Sequence, residues 1–348
     1  MKIVSIVGAR PQFIKLAPVA RALEARGAEH IVIHTGQHYD EGMSDSIFSD
    51  LNIKAADYNL EVGSASHGAQ TGRMLQLIED KLSSIAPDRV LVYGDTNSTV
   101  AGSLAAVKLH FYVAHLEAGL RSNNRRMPEE INRVATDHIS DLCLAPTAAA
   151  MSILAEEGLS SRAILVGDVM ADVCLSTLAS VAVRPPDLPF EDGVSYGIAT
   201  IHRAENTDDP HRLFDIISQL SALSAPVVIP AHPRLAAKAF EHGISLEREN
   251  LVLVPPLNYS QMVYAVSRAD FLVTDSGGLQ KEAMVIGTPC TTVRPETEWP
   301  ETQENGMNIL VEPRDIVSTV DRKPPIPPVS APFGRGDAAE RVADVLLA

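Results

Sequence analysis

A chain of 348 residues, 45% hydrophobic and 21% charged, is long and apolar enough to bury two ordinary cores, which predicts two domains. Its net charge of −15 argues against nucleic acid or an anionic membrane as the principal partner. The cysteines Cys143, Cys174 and Cys290 are odd in number and far apart, no signal-peptide pattern follows Met1, and no apolar run is long enough to span a membrane, so the expectation is a cytoplasmic protein with free thiols.

Taken in order, short apolar runs alternate with amphipathic stretches. Residues 3–7, 31–35, 90–93, 112–116 and 164–166 read as strands, with helices such as 15–26 and 97–109 between them. A composition break follows at 183–189. Alternation then resumes with strands at 196–201, 227–230, 251–254, 271–274 and 291–293, a Pro-rich run at 324–328 and a closing helix at 337–347. Alternating βα units predict parallel sheets with helices on both faces, here two doubly wound domains. Ligands of such sheets bind beyond the carboxyl ends of the strands, so the loops there carry the functional reading.

The first loop, GARPQFIK from Gly8 to Lys15, is neither a Gly-x-Gly-x-x-Gly turn nor a Walker-type loop, which removes support for nicotinamide redox chemistry and for phosphoryl transfer. Arg10 and Lys15 flank a helix start with Pro11 near its first position. As cations they suit a diphosphate, though charge alone favours a solvated helix face.

Three acidic loops follow. Asp95 reads as a helix N-cap, Glu117 as a partner of Arg121, and Pro128-Glu129-Glu130 as a helix N-terminus. Together at successive strand ends, Asp95, Glu117 and Glu129 also read as proton-transfer groups, provided their surroundings separate their pKa values.

In the second half, His202 and Arg203 follow the strand at 196–201, and His232 and Arg234 follow the next one. The stretch 274–289 reads as strand, Gly277-Gly278 turn and helix. Side-chain-free residues at a helix N-terminus let an anion approach the free N–H groups, and Glu282 lies one turn beyond Gly278. No His, Cys or Asp pair has ligand spacing with a third partner nearby, so no metal is expected.

The segments GARPQFIK, HTGQH, GDTNST, HLEAGLRS, MPEEINR, HRAEN, TDSGGLQKEA and TEWPE occur in the order seen in the non-hydrolysing UDP-N-acetylglucosamine 2-epimerases. The resemblance spans nearly the whole chain. It implies two Rossmann-like doubly wound domains in a GT-B-like arrangement, with the active site in the interdomain cleft. The first domain would comprise 1–167 plus the crossover helix in 333–348, and the second, UDP-binding domain 168–332. It implies a cytoplasmic homodimer that takes a UDP-sugar and needs no cofactor and no metal. By the same resemblance Asp95, Glu117 and Glu129 form the acid/base set, His202 lies near the leaving diphosphate, and Lys15 is an active-site cation. Arg10, Arg203, Ser276, Gly277, Gly278, Glu282 and Arg294 are implied for UDP binding, with Glu282 on the ribose.

Departures bear on the substrate. Many members have GTRPE and TERPE where this chain has Gln12 and Trp299. The Ala9 to Phe13 segment, the run Gly167 to Met170 and the Glu298-Trp299 pair look more like the branch acting on UDP-2,3-diacetamido-2,3-dideoxyglucuronate, for whose C6 carboxylate Arg125 or Arg126 is a candidate. The substrate-activated branch has a second Gln three residues after the Gln of its Gln-His pair, where this chain has Asp40. A hydrolysing 2-epimerase, a GT-B glycosyltransferase and a non-catalytic nucleotide-sugar sensor are the alternatives. The last would not require all three carboxylates.

Overall fold

The computed structural model describes residues 1–37, 54–180, 188, 193–323, 325 and 331–348. Asp40, the break at 183–189 apart from Leu188, the Pro-rich run at 324–328 apart from Pro325, and the side chain of Arg10 lie outside the described residues. The chain divides into two units, Met1–Val173 with Pro332–Ala348, and Cys174–Ala331.

In the first unit β1 (Lys2–Val7), α1 (Arg10–Ala25), β2 (Glu29–His34), β3 (Tyr58–Asn59), α2 (His67–Ile85), β4 (Arg89–Tyr93), α3 (Asn97–Lys108) and β5 (Tyr112–Leu116) are followed by α4 (Pro128–Ile139), β6 (Leu142–Ala145), α5 (Ala148–Glu156), β7 (Ala163–Leu165) and α6 (Val169–Ser180). Their sheet runs β3-β2-β1-β4-β5-β6-β7, with every pairing parallel. Both faces are covered, as the near-continuous apolar strands require. Ile3, Val7 and Leu91 pack with Phe13, Leu16 and Leu23 of α1. The alternate residues Val4, Ile6, Val90 and Val92 pack with Met74, Ile78 and Leu82 of α2.

The first helix begins at Arg10, five positions before the expected Lys15. Pro11 occupies its first turn, and the Gln12 side chain accepts the amides of Gly8 (2.7 Å) and Ala9 (3.0 Å), so the loop feeds the helix directly. The closing helix, Ala338–Leu347, packs on α1. Asp172 accepts the Ala339 amide at 2.7 Å and so caps it from another element, while Arg26 pairs with Asp344 at 2.7 Å and with Glu340.

The second unit comprises β8 (Gly197–Thr200), α7 (Ala204–Thr207), α8 (Pro210–Ser221), β9 (Val227–Pro230), α9 (Pro233–Glu241), β10 (Leu251–Val254), α10 (Tyr259–Arg268), β11 (Phe271–Thr274), α11 (Gly277–Ile286), β12 (Cys290–Thr292), β13 (Asn308–Leu310) and α12 (Ile316–Val320). Its parallel sheet runs β10-β9-β8-β11-β12-β13. Both sheets therefore reverse strand order at an internal point, between β1 and β4 and between β8 and β11. Crevices open at such points, beyond the carboxyl ends of the strands. All three cysteines are buried and free. No helix among the described residues is long and apolar enough to cross a membrane.

One polar chain crosses the first core. The Ser5 hydroxyl lies 2.8 Å from His30 Nε2 and 2.9 Å from the Tyr93 hydroxyl. Burial pushes the His30 imidazole down to about 4 despite Asp57 nearby, and Lys54 adds to the effect. An unfolded His gains its proton near pH 6.5, so the folded state binds fewer protons in the window between, and stability falls as pH drops through it. Urea unfolding should show the parent losing about 2 kcal/mol more than His30→Gln between pH 7 and pH 4.5. Equal losses would remove His30 as the cause.

Candidate active site

In the first unit the reversal point gathers charge. Lys15 on α1 pairs with Glu117, which follows β5, and both side chains are about seven-eighths buried, at 13% and 12% exposure. Glu117 has φ +74°, in the left-handed region that a non-glycine residue rarely adopts. Its amide and that of Ala118 both reach Leu144 O at 3.1 Å, so the strand end is folded back and the carboxylate turns toward α1. The expected Glu117–Arg121 pair does not form. Arg121 instead bonds Asp137 at 2.7 Å and makes a bidentate pair with Glu157 at 2.8 and 2.7 Å. Gly94 makes room for the Lys15–Glu117 pair, because a Cβ there would stand 3.3 Å from Glu117 Oε2 and 3.7 Å from Lys15 Nζ.

Asp95 is not the N-cap of α3. Thr96 takes that role, its hydroxyl accepting from the Thr99 amide. The Asp95 carboxylate pairs instead with Arg133 on α4, and Asn132 donates to its backbone carbonyl at 3.0 Å. Burial raises the Asp95 pKa, and the neighbouring Glu117 adds to this against the pull of Arg133 and Lys15. For Lys15 burial works downward, but Glu117, then Asp168 and Asp95, carry it above its ordinary value. The Lys15 ammonium and the Asp95 carboxyl group, both with raised pKa, thus act on each other electrostatically.

Glu129 lies in the exposed first turn of α4, whose first position Pro128 takes as expected. Its neighbour Glu130 is buried and accepts the amides of Ser122 (2.9 Å) and Asn123 (2.8 Å), tying the preceding loop to the helix. Beneath the site His115 and Asp137 are fully buried. His115 faces Asp137 through Nδ1 at 2.6 Å and Gly94 O through Nε2 at 2.7 Å, and Asp137 also accepts the Gly119 amide at 3.0 Å. Burial would raise the Asp137 pKa, but His115 and Arg121 bring it below its ordinary value. Sequence reasoning assigned no role to Arg133, His115 or Asp137. The signal for two of them was that His115 opens HLEAGLRS and Arg133 closes MPEEINR.

In the second unit the reversal point holds the anion-binding candidates. Ser276 caps α11 by accepting the Leu279 amide, which leaves the first N–H groups without intrahelical acceptors. A Cβ on Gly278 would meet open space, and one on Gly277 would lie 3.8 Å from both Arg203 Nη2 and Arg294 Nη1 and 3.7 Å from Glu298 Oε2. Arg294, 3% exposed, is held bidentate by Glu298 at 2.9 Å for each bond, and its Nε has no partner among the described residues. Glu282 lies buried on the same helix. His202 and Arg203 come from the loop after β8, and Asp275 from the loop after β11. The geometry therefore offers a glycine-lined helix terminus with two arginines, which suits a phosphate, and separately a carboxylate–ammonium cluster, which suits proton transfer.

Comparison with known proteins decides the family. A profile described as UDP-N-acetylglucosamine 2-epimerase matches residues 21–347. The chain belongs to the UDP-N-acetylglucosamine 2-epimerase family. It is 46% identical to the UDP-2,3-diacetamido-2,3-dideoxy-D-glucuronate 2-epimerase of Pseudomonas aeruginosa, with 99% of both chains covered. It is 40% identical to a UDP-N-acetylglucosamine 2-epimerase of Methanococcus maripaludis, over 99% of this chain and 98% of that one. The crystal structure of the Methanocaldococcus jannaschii UDP-GlcNAc 2-epimerase in complex with UDP-GlcNAc and UDP matches with a TM-score of 0.86 at 38% identity, covering 100% of this chain and 99% of that one. These 2-epimerases are isomerases, and they differ in the sugar named.

Within this epimerase-family chain, Gln12 is 2% exposed. Its Nε2 donates to Tyr93 O at 2.6 Å, binding the first loop to the one carrying Asp95. Asp137 holds the Glu117 turn from below. Asp137→Asn should cost about 3–5 kcal/mol, because His115 and Arg121 lose the carboxylate they share in the buried interior. Chemical denaturation checks this, and a loss below 1 kcal/mol would show that the network does not support the turn.

Proposed function

We propose that the chain is a non-hydrolysing UDP-sugar 2-epimerase, acting on UDP-GlcNAc and UDP-ManNAc or a close UDP-HexNAc derivative. The observation that carries this reading is the Lys15–Glu117 pair at one strand-order reversal, with Asp95 on the adjoining loop held by Arg133. The C2 proton of such a sugar adjoins no carbonyl and is weakly acidic, so its removal is coupled to loss of UDP from C1. The C2–H and C1–O bonds break, a C1=C2 double bond forms, and the product is a 2-acetamidoglycal. Reprotonation on the other face of C2 and re-addition of UDP give the epimer. Opposed proton-transfer groups are required, which Asp95, Glu117 and Glu129 supply in this reading, with Lys15 balancing charge. Arg10, Arg203, Arg294, Ser276, Gly277 and Gly278 are taken to bind the diphosphate, Glu282 the ribose, and His202 the leaving group. Homodimerisation belongs to the same reading and rests on the family resemblance; a light-scattering mass near that of one chain would remove it.

Of two relatives at 46% identity, one is named a UDP-N-acetylglucosamine 2-epimerase homolog, and a second substrate reading comes from the other, named UDP-2,3-diacetamido-2,3-dideoxy-D-glucuronate 2-epimerase. Arg125 and Arg126, both exposed just before α4, are the candidate partners for the C6 carboxylate of that sugar.

Proton NMR in deuterated buffer, with each UDP-sugar separately, tests the proposal. One solvent deuterium should enter C2 with no added cofactor, and the sugar that reacts chooses between the substrates. Turnover that keeps the C2 proton, or that requires NAD, would sink the mechanism. Asp95→Asn, Glu117→Gln and Glu129→Gln should each lower turnover by about 10²–10⁴-fold while UDP still binds. Folded variants with near-parental rates would end the acid/base assignment, and the exposed Glu129 is the most open to that outcome.

A further inference from the structure

Asp275, directly after β11, is fully buried and surrounded by donors. Its Oδ1 and Oδ2 lie 3.1 and 3.0 Å from the His202 amide, and Oδ2 also accepts the Arg203 amide at 2.9 Å and Asn206 Nδ2 at 3.1 Å. The fourth group against it is the His202 ring, with Nδ1 3.1 Å from Oδ1. Loop capping alone explains the amides. It does not explain a side chain with acceptors on both branches, which an Asn cannot supply without turning an NH2 against other donors. Burying a carboxylate is costly unless its neighbours donate, so a proton on the Nδ1 that lies in ion-pair range of Oδ1, though outside hydrogen-bond geometry, is the ring state this carboxylate favours.

We propose that Asp275 is the positioning residue for His202: it holds the imidazole with Nδ1–H toward the interior and so presents Nε2 to the departing diphosphate of the UDP-sugar. This rests on the nucleotide site proposed above. Charged and titratable groups face the ring from three loops. Asp275 comes from the loop after β11, His232 from the loop after β9 with ring centroids 5.1 Å apart, and Arg203 from the ring's own loop. The His232 Nδ1 accepts the Arg234 amide at 3.2 Å, which occupies its lone pair. Burial first, with His232 and Arg203, lowers the His202 pKa against the pull of Asp275, which favours a neutral ring, and a proton on Nδ1 leaves the lone pair on Nε2. An arriving diphosphate adds negative charge beside Nε2. The ring then takes one proton from solvent and donates it as a hydrogen bond to a phosphate oxygen, and it returns that proton to solvent when UDP leaves.

The test begins with the unaltered full-length chain, labelled with 15N-histidine and assigned by comparison with His202→Asn. Ligand-free His202 should show a protonated Nδ1 and an unprotonated Nε2; the opposite tautomer overturns the proposal whether or not any Asp275 variant folds. Calorimetry of UDP binding near pH 7, in buffers of different ionisation heat, should show proton uptake that Asp275→Asn loses. Asp275→Asn should also lower kcat by about 10²-fold, and the same change in the His202→Asn background should lower it no further. A full second loss there would make Asp275 a structural residue independent of His202. Failure of the nucleotide reading looks different, because UDP would then give no binding heat with the unaltered chain.

Discussion

A parallel sheet built outward from its centre must reverse strand order somewhere, and at that place two adjacent loops leave in opposite directions. In the first unit these are the loops after β1 and β4, and in the second those after β8 and β11. Neither pair can close over the strand ends, so each leaves a walled crevice with backbone polar groups facing into it. Lys15, Asp95 and Glu117 are carried to the first crevice, and His202, Arg203, Asp275 and Ser276 to the second, by strands whose own residues are almost wholly apolar.

Charge in those crevices is held under tension. The left-handed backbone at Glu117 costs about 1–3 kcal/mol on its own, and the carboxylate it directs at Lys15 is largely withdrawn from water. Both costs are met by the rigid layer beneath, where the buried His115, Asp137 and Arg121 fix the turn from Glu117 to Gly119. The second unit answers a different demand. A protein with a net charge of −15 offers an anion little general attraction, so the field has to be local: a helix terminus stripped of side chains, Arg203, and an Arg294 kept in place by Glu298.

The strands were largely legible because buried parallel strands are continuous apolar runs, and residues 112–116, 227–230, 251–254 and 271–274 fall where the sequence put them. β3 has two residues and β13 three, too short to carry a period, and β6 went unread although all four of its residues are buried. Pro11 marked the start of α1, but the helical period was read only from Lys15, because the first turn is tied by Gln12, a residue with no strong capping preference. At the site, residue types were readable and partners were not. Glu117 and Arg121 have the spacing of a helical pair, but the chain between them turns at Gly119, so each finds a partner far away in sequence. Asp275 sat inside a motif read for its glycines, and only the folded loop shows four groups converging on it.

The chain holds one tryptophan. Trp299 is 6% exposed, with the Lys281 ammonium 3.6 Å above its ring centre, and it adjoins Glu298 in sequence, the carboxylate that clamps Arg294. Indole emission from this protein therefore has a single origin, next to the arginine that lines the α11 terminus. Any event that shifts that loop or moves the ammonium changes the surroundings of this one fluorophore. The protein carries a built-in optical probe of its second unit, readable without label or added dye.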